Sequence, residues 1–311
     1  MSILLSQLAD CQAYSFEKLT ALLNVDEEEL LSQIQQLQNQ GLKIDTSFGE
    51  VRLIPETELL NAVKLQRVFA PYKLIYQPII DSTNRFLFAN IGRLNKGDIC
   101  VTEYQSAGRG RRGRQWQSPF ASQIIFSFIW QVEARKPVEG LSLVVGMAIR
   151  EALKEHGAEG IMLKWPNDIL LRGRKLAGIL IEIAGKENNK LNLVVGVGIN
   201  VSIPRENTEI DQPWANLSES LSKIDRTFLL INIIKKIYQE LEHFENQGIT
   251  AEFQQRWLDA DDLFGEQVNI ITEKQIISGI EQGIDKRGYI QLINENGIQY
   301  FNGGEVSLRR K

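Results

Sequence analysis

At 311 residues, with 43% hydrophobic and 24% charged content and a formal net charge of −4, the chain is long enough for a sizeable core and more than one domain. No stretch approaches the ~20 uninterrupted apolar residues of a membrane span, and two cysteines, Cys11 and Cys100, speak against a disulfide framework or a cysteine-rich metal site. The opening MSILLSQLADCQ is acidic by position 10 and has no basic leader, so it does not read as a secretory signal and a cytoplasmic protein is expected.

The charge is uneven. Residues 1–62 hold three basic and ten acidic residues, a net of −7, against 32 basic and 29 acidic in the remainder. Within that acidic stretch Ser15–Leu23 and Asp26–Gln40 predict two helices joined at Asn24-Val25. In the second, Leu30, Ile34 and Leu37 fall at i, i+4, i+7, and Gly41 closes it. Short strands Leu42–Ile44 and Glu50–Ile54 then flank Thr46-Ser47-Phe48-Gly49. Helix, turn, helix and hairpin outline a winged helix-turn-helix, with Pro55–Leu60 as the linker.

From Tyr72 the pattern changes to mixed strands and helices. Asp81-Ser82-Thr83-Asn84 supplies capping side chains before a helical run, Arg85–Leu94. Strand-like segments Asp98–Gln105 and Ser122–Val132 bracket a basic loop, and Glu139–His156 predicts a long helix ended by Gly157. Four β signals follow at Ile161–Trp165, Ile169–Leu171, Lys175–Ala184 and Lys190–Ser202. So many consecutive strands predict a mixed, largely antiparallel sheet and an α+β chain rather than a doubly wound one. A polar loop, Ile203–Trp214, leads to a helix over Arg226–Gln247. The tail offers short strands at Val268–Thr272, Gln275–Gln282, Gly288–Asn294 and Gly297–Phe301, the pattern of a small β-barrel.

The chemistry concentrates in the basic loop, GRGRRGRQW over 108–116, where Arg109, Arg111, Arg112 and Arg114 alternate with Gly108, Gly110 and Gly113. Glycine brings backbone amides close to an anion, and arginine offers planar forks that match carboxylate and phosphate oxygens. Three clusters accompany it: the Ser82–Asn84 cap, Lys164-Trp165-Pro166-Asn167-Asp168, and Arg174-Lys175-Leu176-Ala177-Gly178. Read alone, the first is more simply a helix cap and the second a strand-end turn, while the third is as readily a plain strand-end lysine. No GxxxxGK[ST], HExxH or serine elbow is present. The surplus is in cations rather than nucleophiles, which suits substrates that bring their own nucleophile and charge that develops on phosphorus.

GRGRRGRQW, DSTN, KWPND, RKLAGILIEI, GVGINV (196–201) and the closing GGEVSLR (303–309), in this order, resemble the bifunctional biotin–protein ligase and biotin-operon repressor family over nearly the whole chain. The resemblance implies a winged helix-turn-helix domain at 1–62, a catalytic domain at 63–262 with a mixed sheet of class II aminoacyl-tRNA synthetase type, and a small β-barrel at 263–311. It implies that biotin attacks the α-phosphorus of Mg²⁺-bound ATP to give biotinyl-5′-AMP. A lysine on the biotin carboxyl carrier domain of a carboxylase such as acetyl-CoA carboxylase then takes the biotin. By the same resemblance Ser82, Thr83, Asn84, Gln105, Arg109, Gly110, Arg111, Lys175 and Gly178 bind biotin. Arg111, Arg112, Arg114, Trp116, Lys164, Asn167, Asp168 and Asn200 surround the nucleotide, and Mg²⁺ travels with ATP rather than occupying a fixed protein site. Lys175, Arg109 and Arg111 carry the catalysis, Glu305 and Arg309 are candidates to reach the nucleotide, and a ligand-linked homodimer is expected.

One feature departs from the repressor pattern. The second helix begins Asp26-Glu27-Glu28-Glu29 and has no Lys or Arg through Gln40, although groove-reading helices need cations for phosphates. The fold is therefore expected to be kept with operator binding weak or lost. Rival readings are a lipoate ligase or octanoyl transferase, an arginine–glycine RNA-binding segment, and a protein that is chiefly a transcriptional switch.

Overall fold

The computed structural model describes residues 3–136, 138–205, 210, 212–272, 274–304 and 306–311. At the N-terminus, helices Ile3–Leu8, Phe16–Leu23 and Glu27–Asn39 pack on a three-stranded antiparallel sheet of Tyr14–Ser15, Glu50–Leu53 and Ile44–Asp45. Asp26 caps the third helix by accepting from Glu29 N, and the acids of its first turn sit favourably against the helix dipole. Leu30, Ile34 and Leu37 are its buried stripe. The same core takes in Ile79, Phe120 and Ala121 from the central region, so the N-terminal unit is seated on the segment that follows the arginine loop.

The centre is a seven-stranded mixed sheet. Its order is Leu74–Tyr76, Ile99–Thr102, Gln123–Glu133, Lys190–Asn200, Arg174–Glu187, Asp168–Leu171, Ile161–Lys164. The first pair is parallel and the rest antiparallel. Alternate side chains sort to the two faces. Phe126, Phe128 and Trp130 meet helices Leu141–Glu155 and Arg226–Gln247, while Ile129, Cys100 and Val194 meet Leu87 of the short helix Thr83–Ala89. Burial on both faces explains the nearly unbroken apolar run of Gln123–Glu133.

The tail is a five-stranded antiparallel sheet in the order Gly297–Phe301, Ile290–Asn294, Ile276–Ile284, Gln267–Ile271, Ser307–Arg310. The segment leading into it pairs with the edge of the central sheet, where Leu163 N donates to Ala260 O (2.7 Å) and Asp262 N to Leu163 O (2.9 Å).

Several expectations are refined. The strand expected over Asp98–Gln105 is two, Ile99–Thr102 and Tyr104–Gln105, in different sheets. Between them the fully buried Glu103 turns inward to meet Arg226 Nη1 at 2.8 Å. The helix expected over Arg85–Leu94 spans Thr83–Ala89, followed by a 3₁₀ turn at Ile91–Arg93. Helices Ala62–Phe69 and Ala251–Leu258 and the last strand, Ser307–Arg310, carry too short a pattern to stand out in sequence. Glu305 and residues 206–209 and 211 of the Ile203–Trp214 loop lie outside the described residues. Among the described residues no helix is long and apolar enough to cross a membrane.

Candidate active site

The arginine loop folds back on itself. Arg109 and Gln115 form a bridge, Gly110 N donates to Arg114 O (2.7 Å), and Trp116 N donates to Gly108 O (2.9 Å). A Cβ on Gly108 would lie 2.4 Å from Trp116 O, so only glycine allows this closure. Arg112 at φ 56° and Gly113 at φ 73° make the turn left-handed at the tip.

This loop roofs a cavity of about 1180 Å³. Apart from Glu305, which lies outside the described residues, every residue proposed from sequence for biotin, nucleotide or catalysis lines it: Ser82, Thr83, Asn84, Gln105, Arg109, Gly110, Arg111, Arg112, Arg114, Trp116, Lys164, Asn167, Asp168, Lys175, Gly178 and Asn200. Arg309 lines it too. The four clusters of the sequence therefore converge on one place.

One end is a closed polar network. The parallel pairing of Ile79–Ile80 with Tyr104–Gln105 sets the Ser82–Asn84 cap beside Gln105. Thr83 N donates to Gln105 Oε1 at 2.9 Å, and Thr83 Oγ1 lies 3.1 Å from the same oxygen. Ser127 Oγ lies 2.6 Å from both Thr83 Oγ1 and Asn84 Oδ1. Glu182 Oε2 accepts from Asn84 Nδ2 at 2.8 Å and from Arg109 Nη2 at 2.6 Å.

The other end is cationic. Arg111 Nη1 donates to Asn167 Oδ1 (2.9 Å), and its Nη2 donates to Gly303 O in the tail. Arg112 reaches Ser307 Oγ at 3.1 Å. Burial, reinforced by Arg112 and Arg114, pulls the Arg111 pKa down against the opposing pull of Asp168, and burial likewise lowers Lys164. Lys175 Nζ stands 2.8 Å from Asp168 Oδ1 and 5.7 Å from the Trp116 ring centre. Of Arg109, Arg111 and Lys175, only Arg111 has no carboxylate within ion-pair distance among the described residues.

Between the ends Trp116 lies across Gly178 and Gly198, which face each other in the register of neighbouring strands. Added Cβ atoms there would come within 3.1 Å and 2.5 Å of the indole, so the glycines make its seat. Gln123 accepts from Trp116 Nε1 (3.3 Å) and donates to Asn200 Oδ1 (2.8 Å). Asn200 Nδ2 in turn reaches the carbonyls of Lys175 and Ala215. Glu182, Gln123 and Ser127 were not singled out from sequence. Glu182 lies inside the RKLAGILIEI motif, but nothing local marks it.

Comparison with known proteins agrees with this geometry. Residues 76–200 match the Biotin/lipoate A/B protein ligase family, and residues 263–309 match the Biotin protein ligase C terminal domain. The chain is 38% identical over 309 residues to the bifunctional ligase/repressor BirA of Escherichia coli strain K12, covering 98% of this chain and 96% of that protein. The chain belongs to the biotin–protein ligase family. Another relative in it, the biotin–[acetyl-CoA-carboxylase] ligase of Mycobacterium tuberculosis, is 32% identical over 241 residues, 73% of this chain and 86% of that one. The Aquifex aeolicus biotin protein ligase, solved in complex with biotin and ATP, superposes with a TM-score of 0.68 at 32% identity, over 77% of this chain and 99% of that one. The 76–200 match contains all sixteen of those cavity residues, and the C-terminal match, from residue 263, begins just ahead of the tail sheet's first strand at Gln267.

Proposed function

We propose that this chain is an ATP-dependent biotin–protein ligase that forms biotinyl-5′-AMP and passes biotin to a lysine of the biotin carboxyl carrier domain of acetyl-CoA carboxylase. The observation that carries this is the meeting of a closed polar pocket and a cluster of cations in one cavity under the arginine loop. A carboxylate and a triphosphate repel, and the protein's task is to hold them in contact. In this reading Ser82, Thr83, Asn84, Gln105, Arg109, Gly110 and Gly178 hold biotin. Arg112, Arg114, Trp116, Lys164, Asn167, Asp168 and Asn200 surround the nucleotide, which brings its own Mg²⁺. Arg111 and Lys175 stand between the two, and Arg109 is steadied by Glu182. Among the described residues Arg111 makes no ion pair, which suits it to a substrate anion, and the roof keeps water from the mixed anhydride.

The transferase rival needs a cysteine nucleophile. Cys100 is fully buried in Ile99–Thr102, and burial pushes its thiol up to about 12. Pyrophosphate release from ATP and Mg²⁺ with biotin, and none with lipoate, supports the ligase; the reverse preference overturns it.

The remaining parts follow. Residues 1–62 are read as a winged helix-turn-helix, 63–262 as a catalytic domain of class II synthetase type, and 263–311 as a small β-barrel, in a cytoplasmic protein. In Arg174–Glu187 residues 180–187 outrun the shorter neighbour Asp168–Leu171, which supports edge-to-edge pairing in a ligand-linked homodimer. The helix Glu27–Asn39 presents exposed carboxylates and no cation, so operator binding is weak or lost. An electrophoretic shift at nanomolar protein that depends on biotinyl-5′-AMP contradicts that last reading.

A further inference from the structure

Glu182 joins two segments that are far apart in sequence, the Ser82–Asn84 cap and the arginine loop, through a single carboxylate oxygen. An amide side chain has one donor end and one acceptor end. With Asn84 Nδ2 held by Glu182, its Oδ1 is turned to Ser127 Oγ at 2.6 Å. A flipped amide would set its Oδ1 against the Glu182 carboxylate, so the charge fixes the orientation, with Gly196 packed closely beside it. Ser127 spends its one proton on Asn84 Oδ1 and so accepts from Thr83 Oγ1, and the Thr83 N–H commits Gln105 Oε1 at 2.9 Å, which leaves Gln105 to present its Nε2 as a donor. A negative charge at one end thus polarises the whole chain of groups. Its other bond anchors the Arg109 guanidinium, whose Nε is buried without a partner and stays available to an acceptor.

We infer that Glu182 is the positioning residue of the vitamin end: by fixing the Asn84 amide and the Arg109 guanidinium it sets the donor and acceptor pattern offered to the ureido ring of biotin. This rests on the ligase reading. Glu182 touches neither reacting atom, so its removal acts on biotin affinity rather than on the chemical step. The side chains of the Arg109–Glu182 pair remain 36% and 25% exposed. As an isolated surface pair it would be worth little, and its consequence lies in orientation.

The test is steady-state pyrophosphate release by the full chain, with KM for biotin and for ATP measured separately, for Glu182→Ala, Glu182→Gln, Asn84→Ala and the Glu182→Ala/Asn84→Ala double variant. Losing two charge-assisted bonds is expected to raise the biotin KM of Glu182→Ala by about 30-fold or more. The ATP KM and the kcat at saturating biotin are expected to stay within about threefold of wild type. Glu182→Gln, which keeps an acceptor without the charge, falls between. The double variant loses less than the two single losses combined, because part of the Glu182 effect runs through Asn84 and the rest through Arg109. A biotin KM for Glu182→Ala near the wild-type value, a parallel rise in both KM values with a lowered melting temperature, or additive losses in the double variant overturns the proposal. A wild-type chain that releases no pyrophosphate with biotin overturns the ligase reading itself, and with it the ureido assignment.

Discussion

The two ends of the cavity solve recognition differently. At one, Ser82, Thr83, Asn84 and Gln105 are at most 9% exposed, and Thr83, Asn84 and Gln105 are bonded to one another through Ser127 and to Glu182, so the pocket is preformed. At the other, Arg111 and Lys164 are half-buried cations with lowered pKa, and among the described residues Arg111 is held by the neutral oxygens of Asn167 and Gly303. A neutral heterocycle is best met by fixed dipoles, because preorganisation avoids an ordering cost on binding. An anion is best met by cations whose desolvation it relieves. The first end offers fixed dipoles, whereas the second offers charge to be neutralised.

Perturbing the cationic end should have the larger consequences. Arg111→Gly cuts the tether to Gly303 and the bond to Asn167 as well as the charge. It is expected to slow adenylate formation by roughly 30- to 1000-fold, the equivalent of about 2–4 kcal/mol. It should also leave a roof that leaks biotinyl-5′-AMP and labels lysines indiscriminately. Equal retention of adenylate by variant and wild type, measured by filtration after a single turnover, contradicts the roof's role. Next in size is Gly198→Ala, whose Cβ would lie 2.5 Å from the Trp116 indole. Displacing that ring should cost about 1–3 kcal/mol, read as a roughly 5- to 150-fold higher KM for ATP. If biotin KM rises instead, Trp116 belongs to the preformed end and the division drawn here fails.

The smallest effect lies behind the cationic end, where the Asp261 segment pairs with the strand leading to Lys164. The Glu281 carboxyl is fully buried; burial first, and then the neighbouring Asp261, push it up to about 8. A carboxyl raised on folding contributes stability that is fully present below its ordinary pKa, near 4.5, and is lost as pH climbs through about 8. Glu281→Gln should therefore flatten the fall in melting temperature between pH 6 and 9, by about 2 °C or more. Parallel melting curves for the two proteins across that range contradict the buried acid pair.

Much of the cavity was legible because its residues sit in compact local motifs. Arginine alternating with glycine, a capping cluster before a helix, and a lysine heading an apolar strand can each be read within ten residues. The partners that fix them could not be read that way. Glu182 meets Asn84 across 98 residues and Gln123 meets Asn200 across 77, and no periodicity records such contacts. The helix Arg226–Gln247 and the strand Gly297–Phe301 were legible to the residue, since Gly248 stops the one and the turn Asn296-Gly297 opens the other. Glu103 defeated the strand expected through it, because a buried charge answered by Arg226 overrides local β preference.

The central claim is that the cations under the arginine loop let a carboxylate and a triphosphate react. Its most direct test is single-turnover formation of biotinyl-5′-AMP by Lys175→Ala, with biotin binding measured alongside. The account predicts a rate lower by about 30-fold or more even at biotin concentrations that saturate the variant. A near-normal rate of adenylate formation in that variant contradicts it.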